Sequence, residues 1–241
     1  VAFKEILAPT PELEARFRRE ARLTAELDHP GIVPVYDTGR TSDGRLFYTM
    51  RLVRGSTLAS VHNRREPLVR RVTLLRDAAR AVAYAHARGV VHRDLKPDNV
   101  MVGERGDVQV ADWGLALRVA ELSGSPRGVV GTAGDTAPEL ATGSTWSPRT
   151  DVWSLGRMLE ELLGDANAPE LRAIAAHALA APEGRYADAG ELAEELARWL
   201  DGRPVAAYRY SRTELVARFV RTFRTPLAII GIILVSQLQR P

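Results

Sequence analysis

Apolar side chains recur at the spacing of an α-helix near the start of the chain, over residues 11–27. The charged residues between them fall on the opposite face, which is the pattern of an amphipathic helix. The recurring apolar positions are Leu13, Phe17, Ala21 and Ala25. The helix is expected to end at His29-Pro30-Gly31, because proline and glycine interrupt helices.

Short runs rich in β-branched and aromatic residues flank this helix. They predict strands at 1–7, 32–36 and 45–53. Ser42-Asp43-Gly44 lies between the last two runs and predicts a hairpin turn. We expect residues 54–56 to form a connector to the rest of the chain.

A second amphipathic pattern predicts a helix over 68–88, and Gly89 is placed to end it. Further short strands are predicted at 100–102 and 108–111, and helices at 151–163, 168–180 and 187–200. Residues 115–136 have weak periodicity and many Gly, Ser and Thr residues, which predicts a long loop. The elements therefore run from a small strand-rich part to a mostly helical part.

Composition and charge narrow the possible classes of protein. Of the 241 residues, 45% are hydrophobic and 26% are charged, which suits a soluble protein with a real core. The formal net charge is only +3, so nothing demands a nucleic-acid partner and we expect none. Cysteine is absent, which excludes disulfides and thiolate metal sites and permits a reducing cytoplasm.

The polar stretch at 92–99 carries the groups that phosphoryl transfer requires. Asp94 is a candidate to accept the proton of an attacking hydroxyl and to aim that hydroxyl. Lys96 can reach the transferring phosphate from the same segment. Asn99 and the later Asp112 offer oxygen ligands, which suit Mg²⁺. The catalytic candidates are therefore Asp94 and Lys96, and the metal-binding candidates are Asn99 and Asp112.

Several motifs stand in a fixed order along the chain. They are His92-Arg93-Asp94-Leu95-Lys96-Pro97-Asp98-Asn99, Asp112-Trp113-Gly114, Ala137-Pro138-Glu139 and Thr150-Asp151-Val152-Trp153-Ser154-Leu155-Gly156. Any one alone could be a polar turn or a chance match, but that explanation does not predict the ordered set. Over residues 1 to about 200 the chain resembles the bacterial serine/threonine protein kinases of the eukaryotic-like type.

The resemblance implies an α+β, two-lobed kinase fold, with a β-rich N-lobe over 1–54 and a mostly helical C-lobe over 55–201. It implies ATP and Mg²⁺ as cofactors and the Ser or Thr hydroxyls of proteins as substrates. Lys96 follows Asp94 at the spacing typical of serine/threonine enzymes.

The resemblance also assigns the nucleotide site. Lys4 would grip the inner phosphates of ATP, and Glu20 on the first predicted helix would hold Lys4 in place as its ion-pair partner. Met50 would guard the back of the adenine pocket. Arg51 to Val53 would form the hinge that binds adenine through its backbone.

Further positions match the family outside the nucleotide site. Thr132 would bridge Asp94 and Lys96. Asp151 would brace the loop that carries Asp94. An ion pair between Glu139 and Arg185 would tie the end of the activation segment to the helical lobe.

The resemblance implies control by phosphorylation of the activation loop, since Arg93 precedes Asp94. We expect autophosphorylation at Ser123 or Ser125, where the phosphate would pair with Arg93. The same resemblance allows a homodimer, because dimerisation through the small lobe is common among such kinases.

The chain departs from the family pattern in several places. The glycine-rich loop that precedes Lys4 in the family does not occur in the sequence, so we expect poor ATP binding from the chain as given. Trp113 stands where phenylalanine is usual, which we expect to be tolerated. The connection from residue 163 to residue 168 is very short where the family has another helix that docks substrates.

The tail has two zones. Residues 202–226 interleave arginines with aromatic residues, and the apolar segment 227–238 follows. The tail fits a solvated amphipathic helix, a nucleic-acid patch or a membrane-proximal segment. The apolar run is shorter than a bilayer-spanning helix needs. We favour a basic linker and a truncated membrane anchor, which would tether a cytoplasmic kinase domain to the inner face of the membrane.

Two other functions stay open. The first is a pseudokinase scaffold that binds ATP or partners with little activity, which the absent glycine-rich loop favours and the presence of Asp94, Asn99 and Asp112 opposes. The second is a small-molecule kinase of the same fold, which the Ala137-Pro138-Glu139 motif disfavours because that region presents peptide substrates.

Overall fold

The structure is a computed structural model that describes residues 1–64, 66–122, 136–215 and 218. The chain divides into one compact unit, Val1–Ala207, and a second unit, Tyr208–Pro241. The strands are β1 (Ala2–Glu5), β2 (Val35–Arg40), β3 (Leu46–Met50), β4 (Gly55–Thr57), β5 (Val90–Val91), β6 (Val100–Gly103), β7 (Val108–Val110) and β8 (Leu117–Arg118). The α-helices are α1 (Pro11–Glu26), α2 (Leu58–Asn63), α3 (Leu68–Ala87), α4 (Val119–Leu122), α5 (Pro148–Leu163), α6 (Pro169–Ala178) and α7 (Ala189–Leu200).

The first part of the compact unit is a three-stranded antiparallel sheet in the order β1-β3-β2. The predicted turn joins β2 to β3, and Gly44 takes the left-handed backbone conformation (φ 86°) that glycine tolerates best. Lys4 on β1 lies opposite Tyr48 on β3 in the register.

Helix α1 packs across this sheet through Phe17 and Ala21, two of its four predicted apolar positions, while Leu13 and Ala25 are exposed. Phe17 and Ala21 form a buried cluster with Leu46 and Tyr48 of β3. Thr10 caps the helix by accepting a hydrogen bond from the Leu13 N–H at 3.3 Å, and proline follows at the first helical position. The predicted helix is therefore confirmed.

The strand predicted at 32–36 is wrong in its position, since β2 begins only at Val35. The apolar residues of 32–36 divide between two partners: Ile32 and Val33 contact Val110, and Val35 begins β2. Ile32 is buried and makes an isolated bridge with Val110, and the Val33 N–H donates to the Val110 carbonyl at 3.1 Å. Local composition could not reveal this division, because it depends on a strand that lies far along the chain.

The predicted connector at 54–56 is also partly wrong. Gly55–Thr57 forms β4, which pairs with β6 in a second antiparallel sheet ordered β4-β6-β7. A Cβ at position 55 would lie 2.0 Å from the Val102 carbonyl oxygen, so only glycine lets the two backbones approach this closely. The strand prediction for 45–53 is too long, since β3 ends at Met50.

The helical part has α3 at its centre, packed against α5 and α7. Of the five apolar positions that predicted α3, Val72, Leu75, Ala79 and Val82 are buried and Ala83 is partly buried. Helices α5, α6 and α7 confirm the three predicted helices, and only five residues (164–168) separate α5 from α6. The predicted α+β class is confirmed.

The beginning of the long loop predicted at 115–136 contains β8 and α4. The predicted phosphorylation sites Ser123 and Ser125, and Thr132, lie outside the described residues, as does the apolar segment 227–238. Within the described part of the chain, no helix is both long and apolar enough to cross a membrane.

Candidate active site

The loop at 92–99 is held by one buried carboxylate on helix α5. Asp151 is 1% exposed and accepts hydrogen bonds from the backbone N–H groups of His92 (2.8 Å) and Arg93 (2.9 Å). Arg93 has a left-handed backbone (φ 74°), a conformation that costs energy for a residue with a side chain. The predicted brace is therefore present, and it holds a strained turn.

Helix α3 supplies a third partner to this carboxylate. His86 lies 2.9 Å from Asp151 through Nε2, and its Nδ1 accepts the Ala189 N–H at 3.2 Å. Because Nδ1 is an acceptor, the proton lies on Nε2 and is donated to Asp151. Burial alone would raise the pKa of Asp151, but the hydrogen bond from His86 and the one from the Arg93 N–H help to outweigh burial, and the pKa is lowered.

Asp94, Lys96 and Asn99 meet within this loop. Lys96 Nζ lies 3.1 Å from Asp94 Oδ2. The Asn99 side-chain nitrogen donates to the Asp94 carbonyl at 2.7 Å and to Asp94 Oδ2 at 3.2 Å. The Asp94 side chain is 12% exposed, so the carboxylate is mostly buried yet reachable.

The backbone brings Asp112 next to this group. The Ala111 N–H donates to the Asn99 carbonyl at 2.9 Å, and the ring of buried His92 contacts the Ala111 carbonyl at 3.2 Å through Nε2. Asp112 follows directly with a left-handed backbone (φ 59°). Residues from 92–99 and from the end of β7 are thus fastened together.

Lys4 connects the strand-rich part to Asp112. Its Nζ lies 2.6 Å from Glu20 Oε1 and 3.0 Å from Asp112 Oδ1. Burial would lower the pKa of Lys4, but the two carboxylates outweigh burial and raise it. Burial would raise the pKa of Asp112, but the charge of Lys4 outweighs burial and lowers it. Both groups are therefore charged near neutral pH.

Tyr48 also contacts the Lys4–Glu20 pair, and the sequence alone did not indicate this. Its hydroxyl donates to Glu20 Oε1 at 2.6 Å, and burial, followed by the charge of Glu20, raises the pKa of Tyr48. Lys4 and Tyr48 lie opposite each other on β1 and β3, and because no local pattern fixes this register, the sequence carried no signal for the contact.

The structure places the predicted adenine-contacting residues at the end of β3. Met50 is partly buried and packs against the cluster of Phe17, Ala21, Leu46 and Tyr48. Arg51 and Val53 lie in the irregular segment between β3 and β4, where the Arg51 N–H donates to the Pro34 carbonyl at 3.1 Å. Their role toward adenine stays a prediction.

The predicted ion pair of the helical part is present. Arg185 contacts Glu139 through both terminal nitrogens, at 2.7 and 3.2 Å. The Arg185 side chain is 1% exposed, and it also donates to the carbonyl oxygens of Arg149 and Ala180. This bidentate pair joins the Pro138–Thr142 turn to the Pro182–Gly184 turn.

The donor set suits a hard cation only in combination with a ligand. In the parts of the chain that are described, no group of three or more His, Asp or Glu side chains could hold a metal ion by itself. Asn99 commits its amide nitrogen to Asp94, which leaves the amide oxygen for a cation, and Asp112 offers an ionised carboxylate. Two oxygen donors of this kind fit Mg²⁺ that is shared with phosphate oxygens.

Known proteins are similar to this chain in sequence. Residues 1–175 match the protein kinase domain. The chain is 36% identical over 235 residues to the serine/threonine-protein kinase PknB of Mycolicibacterium smegmatis, which covers 82% of this chain and 38% of that protein. It is 36% identical over 239 residues to a probable serine/threonine-protein kinase of Streptomyces coelicolor, and the match covers 83% of this chain and 36% of that protein. It is 43% identical over 160 residues to the serine/threonine-protein kinase PknA of Mycobacterium tuberculosis, and the match covers 64% of this chain and 37% of that protein.

The chain therefore belongs to the protein kinase family, and its predicted resemblance to the bacterial serine/threonine kinases is confirmed. It spans between 36% and 38% of the length of the three relatives. The family uses ATP and Mg²⁺.

Proposed function

We propose that this chain is a protein serine/threonine kinase that transfers the terminal phosphoryl group of ATP to Ser or Thr hydroxyls of proteins in bacterial signalling. The observation that carries the proposal is the contact of Asp94 with both Lys96 (3.1 Å) and Asn99 (3.2 Å) beside the backbone that leads to Asp112. These are the groups that the transfer needs, gathered from separate motifs of the sequence.

Each residue has a distinct role in this proposal. Asp94 orients the attacking hydroxyl and accepts its proton, and Asn99 holds the Asp94 carboxylate in place through its amide nitrogen. Lys96 offsets negative charge on the phosphoryl oxygens as they pass Asp94. Asn99 and Asp112 would hold Mg²⁺, which neutralises charge on the phosphate oxygens when it is bound.

Lys4 would bind the inner phosphates of ATP. Its contacts with Glu20 and Asp112 hold the ammonium group in one place, so little side-chain entropy is lost when a phosphate arrives. Met50, Arg51 and Val53 would contact adenine. The serine/threonine preference follows from Lys96, which stands beside Asp94.

Substitution of Asp94 tests the proposal. Asp94→Asn keeps the shape of the side chain but cannot accept the hydroxyl proton, so phosphoryl transfer from ATP to a generic protein should fall by about 10²- to 10⁴-fold. The measurement is incorporation of labelled phosphate into a generic protein substrate. The matched control is Asp98→Asn, which changes an exposed carboxylate in the same loop and should leave the rate unchanged.

The controls also separate the competing functions. Equal rates for the wild type and Asp94→Asn, with ATP still bound, would favour the pseudokinase scaffold. Transfer to a small molecule in place of protein would favour the small-molecule kinase. Either result would overturn the proposal.

We also propose that the arginine-rich tail tethers the kinase domain to the cytoplasmic face of a membrane, and that the protein forms a homodimer. Support for the tether is the interleaved arginines and aromatic residues of 202–226 and the apolar segment 227–238. After cell fractionation the full protein should stay with membranes through a salt wash. Complete release by salt would contradict the anchor.

A further inference from the structure

Helix α1 contacts the segment after β7 at two points. Glu20 reaches it through Lys4, which contacts Asp112 at 3.0 Å. Arg16 reaches it directly, since its Nε donates to the Gly114 carbonyl at 3.0 Å. Arg16 and Glu20 are four residues apart, which places both side chains on one face of the helix.

The second contact requires a close approach between the helix and the segment. A Cβ at Gly114 would lie 3.0 Å from Glu20 Oε2 and 3.3 Å from Asp112 Oδ1. The absence of a side chain at position 114 therefore lets the segment lie against Glu20. Arg16 holds the carbonyl of this same glycine.

A second arginine binds the next carbonyl of this segment, since Arg93 donates to the Leu115 carbonyl at 3.4 Å. Burial lowers the pKa of Arg93, the charge of Asp151 raises it and the charge of Arg16 lowers it, and the net shift is downward. Two guanidinium groups thus bind consecutive carbonyl groups in spite of their mutual repulsion.

We propose that Arg16 is a positioning residue that fastens Gly114 to helix α1 and so holds Asp112 where it can serve the cation. This inference rests on the proposed kinase function for its catalytic consequence, but the contact itself can be tested without catalysis. Arg16 touches neither ATP nor the reacting atoms in this proposal, and it acts through the backbone of the 112–115 segment.

The first test measures hydrogen exchange in the protein without nucleotide. The Ala116 N–H donates to the Trp113 carbonyl at 3.0 Å, so protection of this amide reports on the turn that contains Gly114. Arg16→Ala should speed exchange in peptides that cover 112–116 by about five-fold, as loss of one exposed, charge-assisted hydrogen bond implies. Arg16→Gln keeps a donor without the charge and should restore part of the protection.

The matched control is Arg19→Ala on the same helix. Arg19 is exposed, and the described part of the chain provides it with no hydrogen bond or ion pair. This variant should leave exchange at 112–116 unchanged. Equal exchange in Arg16→Ala and wild type would overturn the proposal, and so would an equal effect of Arg19→Ala.

The second test measures phosphoryl transfer as a function of Mg²⁺ concentration. If Arg16 positions Asp112, Arg16→Ala should raise the Mg²⁺ concentration needed for half-maximal rate about five-fold, and Arg16→Gln should raise it less. An unchanged Mg²⁺ requirement with a slower rate would overturn the proposal. If the wild type transfers no phosphate, the proposed function fails, while the exchange experiment still decides whether Arg16 holds the turn.

Discussion

At the scale of single residues, buried hydrogen bonds decide which polar groups act together. Asp151 was predictable as a brace from its motif, but its third partner, His86, lies 65 positions earlier in the chain. Tyr48 and Arg16 were missed for the same reason, since neither stands near the motif it contacts. Lys4 and Glu20 were predictable only because the family resemblance assigned both roles.

The pH dependence of stability should reveal the Asp151 carboxylate. The pKa of Asp151 in the folded protein lies below its ordinary value. The ionised carboxylate therefore contributes to the free energy of unfolding above about pH 4, and this contribution is lost as the pH falls through the folded pKa. Asp151→Asn should be less stable at neutral pH by about 3 kcal/mol, because one amide oxygen must face three donors.

Urea unfolding between about pH 7 and about pH 3 measures this effect. The difference in free energy of unfolding between the wild type and Asp151→Asn should shrink toward the acid end. The exposed Asp98→Asn provides the comparison and should follow the wild-type curve. A constant difference across the whole range would contradict the assignment of a depressed pKa to Asp151.

At the scale of elements, helices were predicted better than strands. The 3.6-residue period of α1, α3 and α5 is a property of each segment, and each buries much of the face that its own sequence marks as apolar, although Leu13 and Ala25 of α1 are exposed. Strands depend on partners. Gly55–Thr57 is a strand only because β6 lies beside it, and Ile32 leaves the hairpin only because Val110 is near.

The ion pair between Glu139 and Arg185 should contribute measurably to the free energy of unfolding. Glu139→Gln leaves the buried guanidinium without a counter-charge, although it keeps carbonyl partners, so the free energy of unfolding should fall by about 2 kcal/mol. Chemical unfolding measures this change. Glu160→Gln removes half of the exposed Arg157 pair and should change stability little, and an equal loss in both variants would refute the special role of Glu139.

At the scale of the whole molecule, the candidate site depends on contacts between distant parts of the compact unit. Lys4 comes from β1, Glu20 from α1 and Asp112 from the end of β7, and distances of 2.6 and 3.0 Å join them. The loop that carries Asp94 is held by helix α5 through Asp151. The fold therefore brings four separate segments to one place.

The sequence by itself determined the chemical groups, their order and the five longer helices in the described part of the chain, because motifs and helical periodicity are local properties of the chain. It also predicted the ion pairs Lys4–Glu20 and Glu139–Arg185 through resemblance to a family. Only the tertiary structure decided where Ile32 pairs, that Tyr48 donates to Glu20 and that Arg16 holds Gly114. The physical reason is that these contacts join residues between 28 and 98 positions apart, and no local pattern encodes such a partner.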